Sequence, residues 1–478
     1  MKRITDFHAG RRHFLRTAGA LSASGAATPL AMKLAAIGAL GAGAAQAATP
    51  ANYKALVCVF LYGANDAHNT VAPFDTASYN PYATVRGTLA HPQGTLLPLT
   101  PITALPGGRQ IALAPQLGAL QSLFNTNKLA VLANVGPLIQ PTNRTQFLAQ
   151  TVPLPPKLFS HNDQQSLWQS SQPEGTKQGW GGRIGDILAS QNGNATFTCM
   201  SVTGNSAFLA GQTVQQYQLD STIGAIPVVG VAGAPAPFNL PPGILYSSAA
   251  ASAALNTILT RNRTHLFEND LRGVNQRSLD AYTSVSAALA MAPATAAPFN
   301  AFPANNSLAT QLQMVARMIS VASQMNVTRQ VFMVSLGGFD THAAQSLAHP
   351  VLMTQLADAL AAFQGAMDQL GIGPQVTTFT ASDFGRTLVP NGDGTDHGWG
   401  GHHFVMGGAV IGRQIYGSYP DLVLNNSTDS GNGRLIPTTS VEQYAGTLAR
   451  WMGVSDANRD LILPNLANFA MKDLGFMA

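Results

Sequence analysis

Apolar runs with no polar side restrict the folds open to this chain more than any other feature. The segments at 53–66 (YKALVCVFLYGAND), 128–136 (KLAVLANVG), 196–204 (TFTCMSVTG), 329–340 (RQVFMVSLGGFD), 375–385 (QVTTFTASDFG) and 402–412 (HHFVMGGAVIG) are each strand-sized and punctuated by turn residues. A strand that is apolar on both sides must be covered on both sides, which describes the inner strands of a parallel α/β sheet. Between several of the runs the apolar spacing switches to every third or fourth residue, predicting helices over 115–127, 306–325, 350–371 and 440–453. This alternation implies an α/β fold with a mainly parallel central sheet and helices on both faces.

Composition agrees with a large core. Of 478 residues 46% are hydrophobic and only 10% charged, with 46 Gly and 29 Pro, which describes a loop-rich globular chain and excludes wholesale disorder. The stretch 205–305 stands apart, because Pro/Ala/Gly-rich segments at 224–243 and 291–306 flank one helical pattern over about 247–290. We read it as an insertion or cap on a single domain spanning 48–478.

The first 47 residues read as an export signal. Arg11 and Arg12 precede Phe14 and Leu15, a weakly apolar Ala/Gly-rich stretch follows, and Ala45-Gln46-Ala47 offers a small-x-small cleavage pattern. A twin-arginine signal of this kind implies the twin-arginine translocase as a partner during export of the folded chain. It also implies a periplasmic or secreted location and no stable membrane anchor after cleavage. Residues 1–47 carry six of the 26 Lys/Arg and one of the 22 Asp/Glu, so 20 bases face 21 acids in the remainder. The basic balance belongs to the signal, and nothing left favours nucleic acid as a partner. Cys58 and Cys199 lie in apolar runs without C-x-x-C spacing, so any metal must be held by His and carboxylates.

In open α/β sheets ligands bind beyond the carboxyl ends of the strands. Three aspartates sit there: Asp66 closes YGAND, Asp340 closes LGGFD and Asp383 closes TASD. Polar groups follow each, namely His68 and Asn69, Thr341 and His342, and Arg386 and Thr387. A single such Asp also serves as a turn residue or helix N-cap. Three of them, with the histidine-rich loop 394–403 (GTDHGWGGHH) after the third, point to a shared metal or catalytic site. Ser160 beside His161, at the start of a helical pattern, is either a hydroxyl nucleophile or a plain N-cap.

The ordered blocks VFLYGANDAHNTVAPF, FSHNDQQSLWQ, GWGGRIGD, SLGGFDTHAAQ, SDFGRT, GTDHGWGG and EQYAGTLARWMGV cover nearly the whole chain after the signal. Together they resemble the exported twin-arginine family known as domain of unknown function 1501, which is similar to the alkaline phosphatase and sulfatase superfamily. The resemblance implies an alkaline-phosphatase-like sandwich with metal ligands after the strands and a hydroxyl or modified-cysteine nucleophile. On it, Asp66 corresponds to the first-strand ligand, Ser160 falls near the nucleophile, Asp340 and His342 resemble the next ligand pair, and His397 resembles the last histidine. Asp383 matches the aspartate of the superfamily's S-D-H-G block, but this chain reads SDFG, so Phe384 replaces a ligand. Phenylalanine has no lone pair. The resemblance therefore leaves Asp340, His342 and His397 as a zinc- or manganese-like set, and an oxygen-ligated Mg²⁺ or Ca²⁺ for Asp66 and Asp383.

Two functions follow. One is a periplasmic metal-dependent hydrolase of a phosphate or sulfate ester, acting on a small anionic ester or a polysaccharide, with Ser160 as nucleophile and Arg386 or His161 steadying the anion. The other is a non-catalytic binding or secretion-accessory protein on a decayed scaffold of the same kind. The formylglycine signature C/S-x-P-x-R is not met at Ser160-His161-Asn162-Asp163-Gln164, and no G-x-S-x-G elbow occurs.

Overall fold

The computed structural model describes residues 49–226 and 249–478. The expected export signal at 1–47 and the Pro-rich centre of the expected insertion lie outside the described residues. Strands, in chain order, are β1 (Lys54–Leu61), β2 (Val71–Pro73), β3 (Leu97–Pro98), β4 (Ile111–Leu113), β5 (Leu129–Gly136), β6 (Cys199–Ser201), β7 (Tyr217–Asp220), β8 (Gly224–Ala225), β9 (Arg329–Leu336), β10 (Val376–Ser382), β11 (Arg386–Pro390), β12 (Thr395–His397), β13 (Gly401–Gly407), β14 (Ile415–Tyr416) and β15 (Thr439–Ser440). Helices are α1 (Ala67–Thr70), α2 (Thr76–Arg86), α3 (Gly118–Asn125), α4 (Arg144–Ala149), α5 (His161–Ser170), α6 (Trp180–Leu188), α7 (Ala249–Thr260), α8 (Leu266–Ala290), α9 (Ser307–Ser320), α10 (Gln345–Gln369), α11 (Val441–Met452) and α12 (Asp456–Ile462).

The main sheet runs β14-β5-β13-β10-β1-β9-β6-β7-β8, with β15 beside β5. Pairing is parallel from β10 through β7, while β13 runs antiparallel to both of its neighbours, β10 and β5. The six apolar runs supply β1, β5, β6, β9, β10 and β13, so the sheet is mixed and mostly parallel, with helices on both faces. Antiparallel β13 is the part that strand composition does not reveal, since a run apolar on both sides fits either direction.

β1 shows why its residues form a central strand. Ala55, Val57, Val59 and Leu61 enter one core, together with Phe332 and Val334 of β9 and the apolar stripes of α3, α9 and α10. Leu56, Cys58 and Phe60 enter the other, with Met333, Phe379 and residues of α6 and α11. Cys58 and Cys199 are both free thiols in that second core. α10 repeats Met353, Leu356, Leu360, Phe363 and Met367 on one buried side, and it begins at Gln345, before the 350–371 predicted from spacing. α11 is bounded by a Ser440/Gln443 capping box and by Gly453 at φ 105.

Within 205–305, β7 adds to the edge of the main sheet, and the last turns of α8 bury Ala281, Val285, Ala288 and Leu289 in the first core. β7, through Leu219, and the last turns of α8 thus share the core of the domain. Among the described residues no helix is long and apolar enough to cross a membrane.

Glu442, in the first turn of α11, is 3% exposed. Its Oε1 accepts from Asn465 Nδ2 at 2.7 Å, and Oε2 has no partner. Burial pushes this carboxyl up to about 7 from 4.5. A group raised on folding favours the native state below its unfolded value, and that contribution is lost as the pH rises through the folded one. Between pH 4.5 and about 7 the unfolding free energy should therefore fall by roughly 3 kcal/mol through this group. Urea titrations across that range should show a correspondingly smaller slope in Glu442→Gln, and an unchanged slope would exclude Glu442 as the source.

Candidate metal centre

Three parallel strands end level. Leu61 of β1 lies opposite Leu336 of β9 and Ser382 of β10, so the loops carrying Asp340 and Asp383 leave the sheet side by side. Gly63, at φ 104, passes between them, and a Cβ there would come within 2.5 Å of the Asp340 amide nitrogen. After Asp383 the chain turns into β11, which pairs with β12 so that Arg386 faces His397. The N-terminus of α5 brings His161 to the same place.

Asp340 is the centre of this arrangement. Its Oδ1 accepts from Arg386 Nη1 at 2.7 Å, and the fully buried Arg386 also donates to Gly63 O, Thr395 Oγ1 and Thr395 O. Partial burial would raise the Asp340 carboxyl, but the hydrogen bond and charge of Arg386 pull it below the usual carboxylate value, so it is ionised. Around it, His161 Nε2 lies 3.5 Å from Oδ2, while His342 Nε2 and His397 Nε2 lie 3.1 and 3.4 Å from Oδ1. His342 Nε2 and His397 Nε2 are 2.9 Å apart.

The outer nitrogens explain how the rings are turned. His161 Nδ1 meets Asp383 Oδ2 at 2.6 Å, and His397 Nδ1 meets the Phe159 carbonyl at 2.7 Å. A carboxylate and a carbonyl only accept, so both Nδ1 atoms carry protons, and each ring, when neutral, presents its Nε2 lone pair inward. The hydrogen bond to Asp383 raises the His161 pKa, whereas burial lowers that of His397. Phe384 fills the space behind both, with ring centroids 4.8 Å from His161 and 4.7 Å from His397. Phe384, which the sequence presents as the loss of a ligand, therefore packs two imidazoles in place.

This donor set fits a cation. The ligand atoms of His161, Asp340 and His397 all lie within 4.8 Å of one another. His161 Nε2 is buried without a hydrogen-bond partner. Bonds of roughly 2.0–2.1 Å in a tetrahedron place neighbouring donors about 3.3 Å apart, close to the separations found around Asp340. Outer hydrogen bonds from each imidazole to a carboxylate or carbonyl are the usual support of histidine ligands.

Several expected roles change. His161, expected to steady an anion, is a donor to the centre. Asp383 is spent on orienting it, its Oδ2 also accepting from Gln165 at 2.8 Å and its Oδ1 from Gly63 N at 3.3 Å. Asp66 is spent too, and this corrects the expected Asp66/Asp383 magnesium or calcium pair. Its Oδ2 is ion-paired with buried Arg86 and accepts from Gln345, while its Oδ1 caps α1 through the amides of His68 and Asn69. Burial alone would raise the Asp66 carboxyl, but Arg86, His349 and His68 bring it down to about 2. Arg386 has its donors committed to Asp340, Gly63 and Thr395, so it positions Asp340 and is not free to hold a substrate anion. Ser160 donates to Asp163 Oδ2 at 2.8 Å and to no member of the centre. His402 and His403 point to opposite faces of β13: His402 stacks on Tyr419, His403 lies against Trp168, and burial lowers both pKa values, His403 to about 3.

Sequence reasoning missed the Phe159 carbonyl, Asp396 and Arg434. Asp396 Oδ1 lies 3.3 Å from His342 Nδ1. Arg434 donates from Nε to His397 O at 2.9 Å and lies over the Phe159 ring at 5.1 Å, bracing both partners of that hydrogen bond. Only Asp396, adjacent to His397, had a signal in the sequence.

The profile of a family described as "Protein of unknown function (DUF1501)" matches residues 53–462, and the chain belongs to that family. No curated protein matches it. Among solved structures, the lipoteichoic acid synthase LtaP from Listeria monocytogenes is 9% identical with a TM-score of 0.34, covering 88% of this chain and 78% of that one. The PsFucS1 sulfatase from Pseudoalteromonas sp. is 11% identical with a TM-score of 0.32, over 85% and 68%. A variant of the alkaline phosphatase PafA is 14% identical with a TM-score of 0.27, over 70% and 63%.

The two buried carboxylates separate in experiment. Asp66→Asn leaves Arg86 as an unpaired buried cation and should cost about 3–5 kcal/mol in urea unfolding, with metal content per folded molecule unchanged. Loss of metal without loss of stability would place Asp66 at the centre instead.

Proposed function

We propose that this DUF1501 member is an exported, metal-dependent hydrolase of phosphate or sulfate esters whose ion is held by His161, Asp340 and His397. One observation carries the reading: three donors from distant parts of the chain converge, with the proton of each imidazole held on the outer nitrogen. Two nitrogens and a carboxylate suit Zn²⁺ or Mn²⁺. When bound, such an ion supplies Lewis acidity toward an ester oxygen. The twin-arginine pattern at Arg11 and Arg12 supports export of a folded chain to the periplasm.

The chain's own residues prepare the site. Asp383 keeps the His161 proton on Nδ1, and the Phe159 carbonyl does the same for His397. Arg386 keeps Asp340 ionised and turned toward both rings. Phe384, 2% exposed, keeps water from the back of the imidazoles. Ser160 is adjacent to His161, and its bond to Asp163 gives the hydroxyl a carboxylate within reach to take its proton, as a nucleophile requires.

The same bond favours a second reading. A hydroxyl satisfied by a carboxylate three residues along the same helix also needs no reacting partner, which suits a non-catalytic binding or secretion-accessory protein.

Metal analysis of the purified protein with aryl phosphate and aryl sulfate assays decides between them. On the hydrolase reading, the protein holds one equivalent of transition metal, His161→Ala loses it, and Asp383→Asn weakens metal affinity by about 10–100-fold. Ser160→Ala keeps the metal and loses ester cleavage. Metal-loaded protein that cleaves neither ester would support the binding reading, and stable protein with no affinity for metal would exclude the centre.

A further inference from the structure

We propose that His342 is a displaceable fourth donor, completing the resting centre and giving up its place to an anionic oxygen of the ester. This rests on the metal-centre reading above. His342 Nε2 stands 3.1 Å from Asp340 Oδ1 and 2.9 Å from His397 Nε2, closer than the 3.4 and 3.5 Å at which His397 and His161 stand from Asp340. The Phe159 carbonyl fixes the His397 proton on Nδ1, so His397 Nε2 is a lone pair. Across that 2.9 Å contact the lone pair meets either a proton on His342 Nε2 or a cation held between the two nitrogens, and the second case is the resting centre proposed. With His342 counted, the set is three histidines and one aspartate, which is a closed shell of the structural kind, whereas hydrolysis needs an open position. One donor must leave.

The four donors are held very unequally. Asp340 is gripped by Arg386, and His161 by a 2.6 Å bond to the fully buried Asp383. His397 is held by a 2.7 Å bond to a main-chain carbonyl. Phe384 packs behind both of those rings. The His342 side chain is 43% exposed, against 27% for His161 and 24% for His397. Its outer nitrogen has only a 3.3 Å contact to Asp396, a carboxylate that is 47% exposed and already accepts from Asn391 at 2.6 Å. The main chain at this point is pinned, because Thr395 N donates to Thr341 O at 3.1 Å and a Cβ on Gly394 would collide with the His342 carbonyl group. The departure is therefore a swing of the imidazole about its own side-chain bonds, with the loop left in place. The oxygen that replaces it belongs to a tetrahedral oxyanion, the group that phosphate and sulfate esters share.

The test uses the full mature chain loaded with Co²⁺, with inorganic phosphate as the probe, and compares it with His342→Ala and His161→Ala. Both the unaltered chain and His342→Ala should hold one equivalent of cobalt, while His161→Ala should not. Phosphate should bind His342→Ala about tenfold or more tightly, because no internal donor has to be displaced. The visible cobalt spectra of the two should differ without phosphate and converge at saturation. Loss of cobalt from His342→Ala as complete as from His161→Ala would overturn the proposal by making His342 a permanent ligand. An unchanged spectrum and phosphate affinity would overturn it by removing His342 from the shell. Failure of the unaltered chain to take up cobalt or zinc would overturn the metal reading beneath it, a result distinct from either.

Discussion

The register of β1 between β9 and β10 is the constraint on which the rest of the structure depends. Because β1 is buried on both faces, a slip by one residue would exchange its whole set of side chains between the two cores, so the alignment of Leu61 with Leu336 and Ser382 is strongly specified. That alignment sets the height at which three loops leave the sheet. Gly63 then knits them: its amide donates to Asp383, its carbonyl accepts from Arg386, and its missing side chain leaves room for the Asp340 main chain. No L-residue with a side chain could occupy this crossing without moving the Asp340 loop.

Charge at the strand ends is sorted into two separate compartments. Asp66 and Arg86 pair in the interior together with Gln345, forming a buried polar network whose value lies more in fixing one arrangement than in net stability. Asp340 and Arg386 form the second pair, but there the aspartate keeps one edge toward the histidines. The difference arises from exposure: Asp66 is fully buried, while Asp340 is 45% exposed. Similar carboxylates after neighbouring strands thereby acquire opposite surroundings, one closed inside the interior and one facing three histidines.

Much of this was legible in the residues, for reasons that also mark where legibility stops. The double-sided apolar runs announce buried strands, and a polar residue directly after such a strand is forced to the sheet's carboxyl edge, which identified Asp340, Asp383 and their neighbours. The role of Asp66 was hidden because its partner, Arg86, is delivered by the far end of α2, and no local pattern couples a strand end to a helix end. His161 looked like an auxiliary to Ser160, since adjacency in sequence suggested a shared task, whereas the helix start turns the two side chains to different partners. The Phe159 carbonyl could not have been found at all, because a main-chain acceptor leaves no compositional trace. Phe384 read as a loss when matched against a ligand, and only packing shows its use as a wedge behind two rings.

The wide sequence separation of His161, Asp340 and His397 has a consequence for which ion such a centre would take. An unfolded chain holds no partial version of the site, since the donors meet only when α5, the β9 loop and the β11–β12 hairpin are all in place. Intrinsic preference among first-row divalent ions follows their general affinity order more than any discrimination by so simple a donor set. The ion retained would then record the metal supply of the compartment in which the sheet closes, so that where the chain folds becomes part of what the centre is made of.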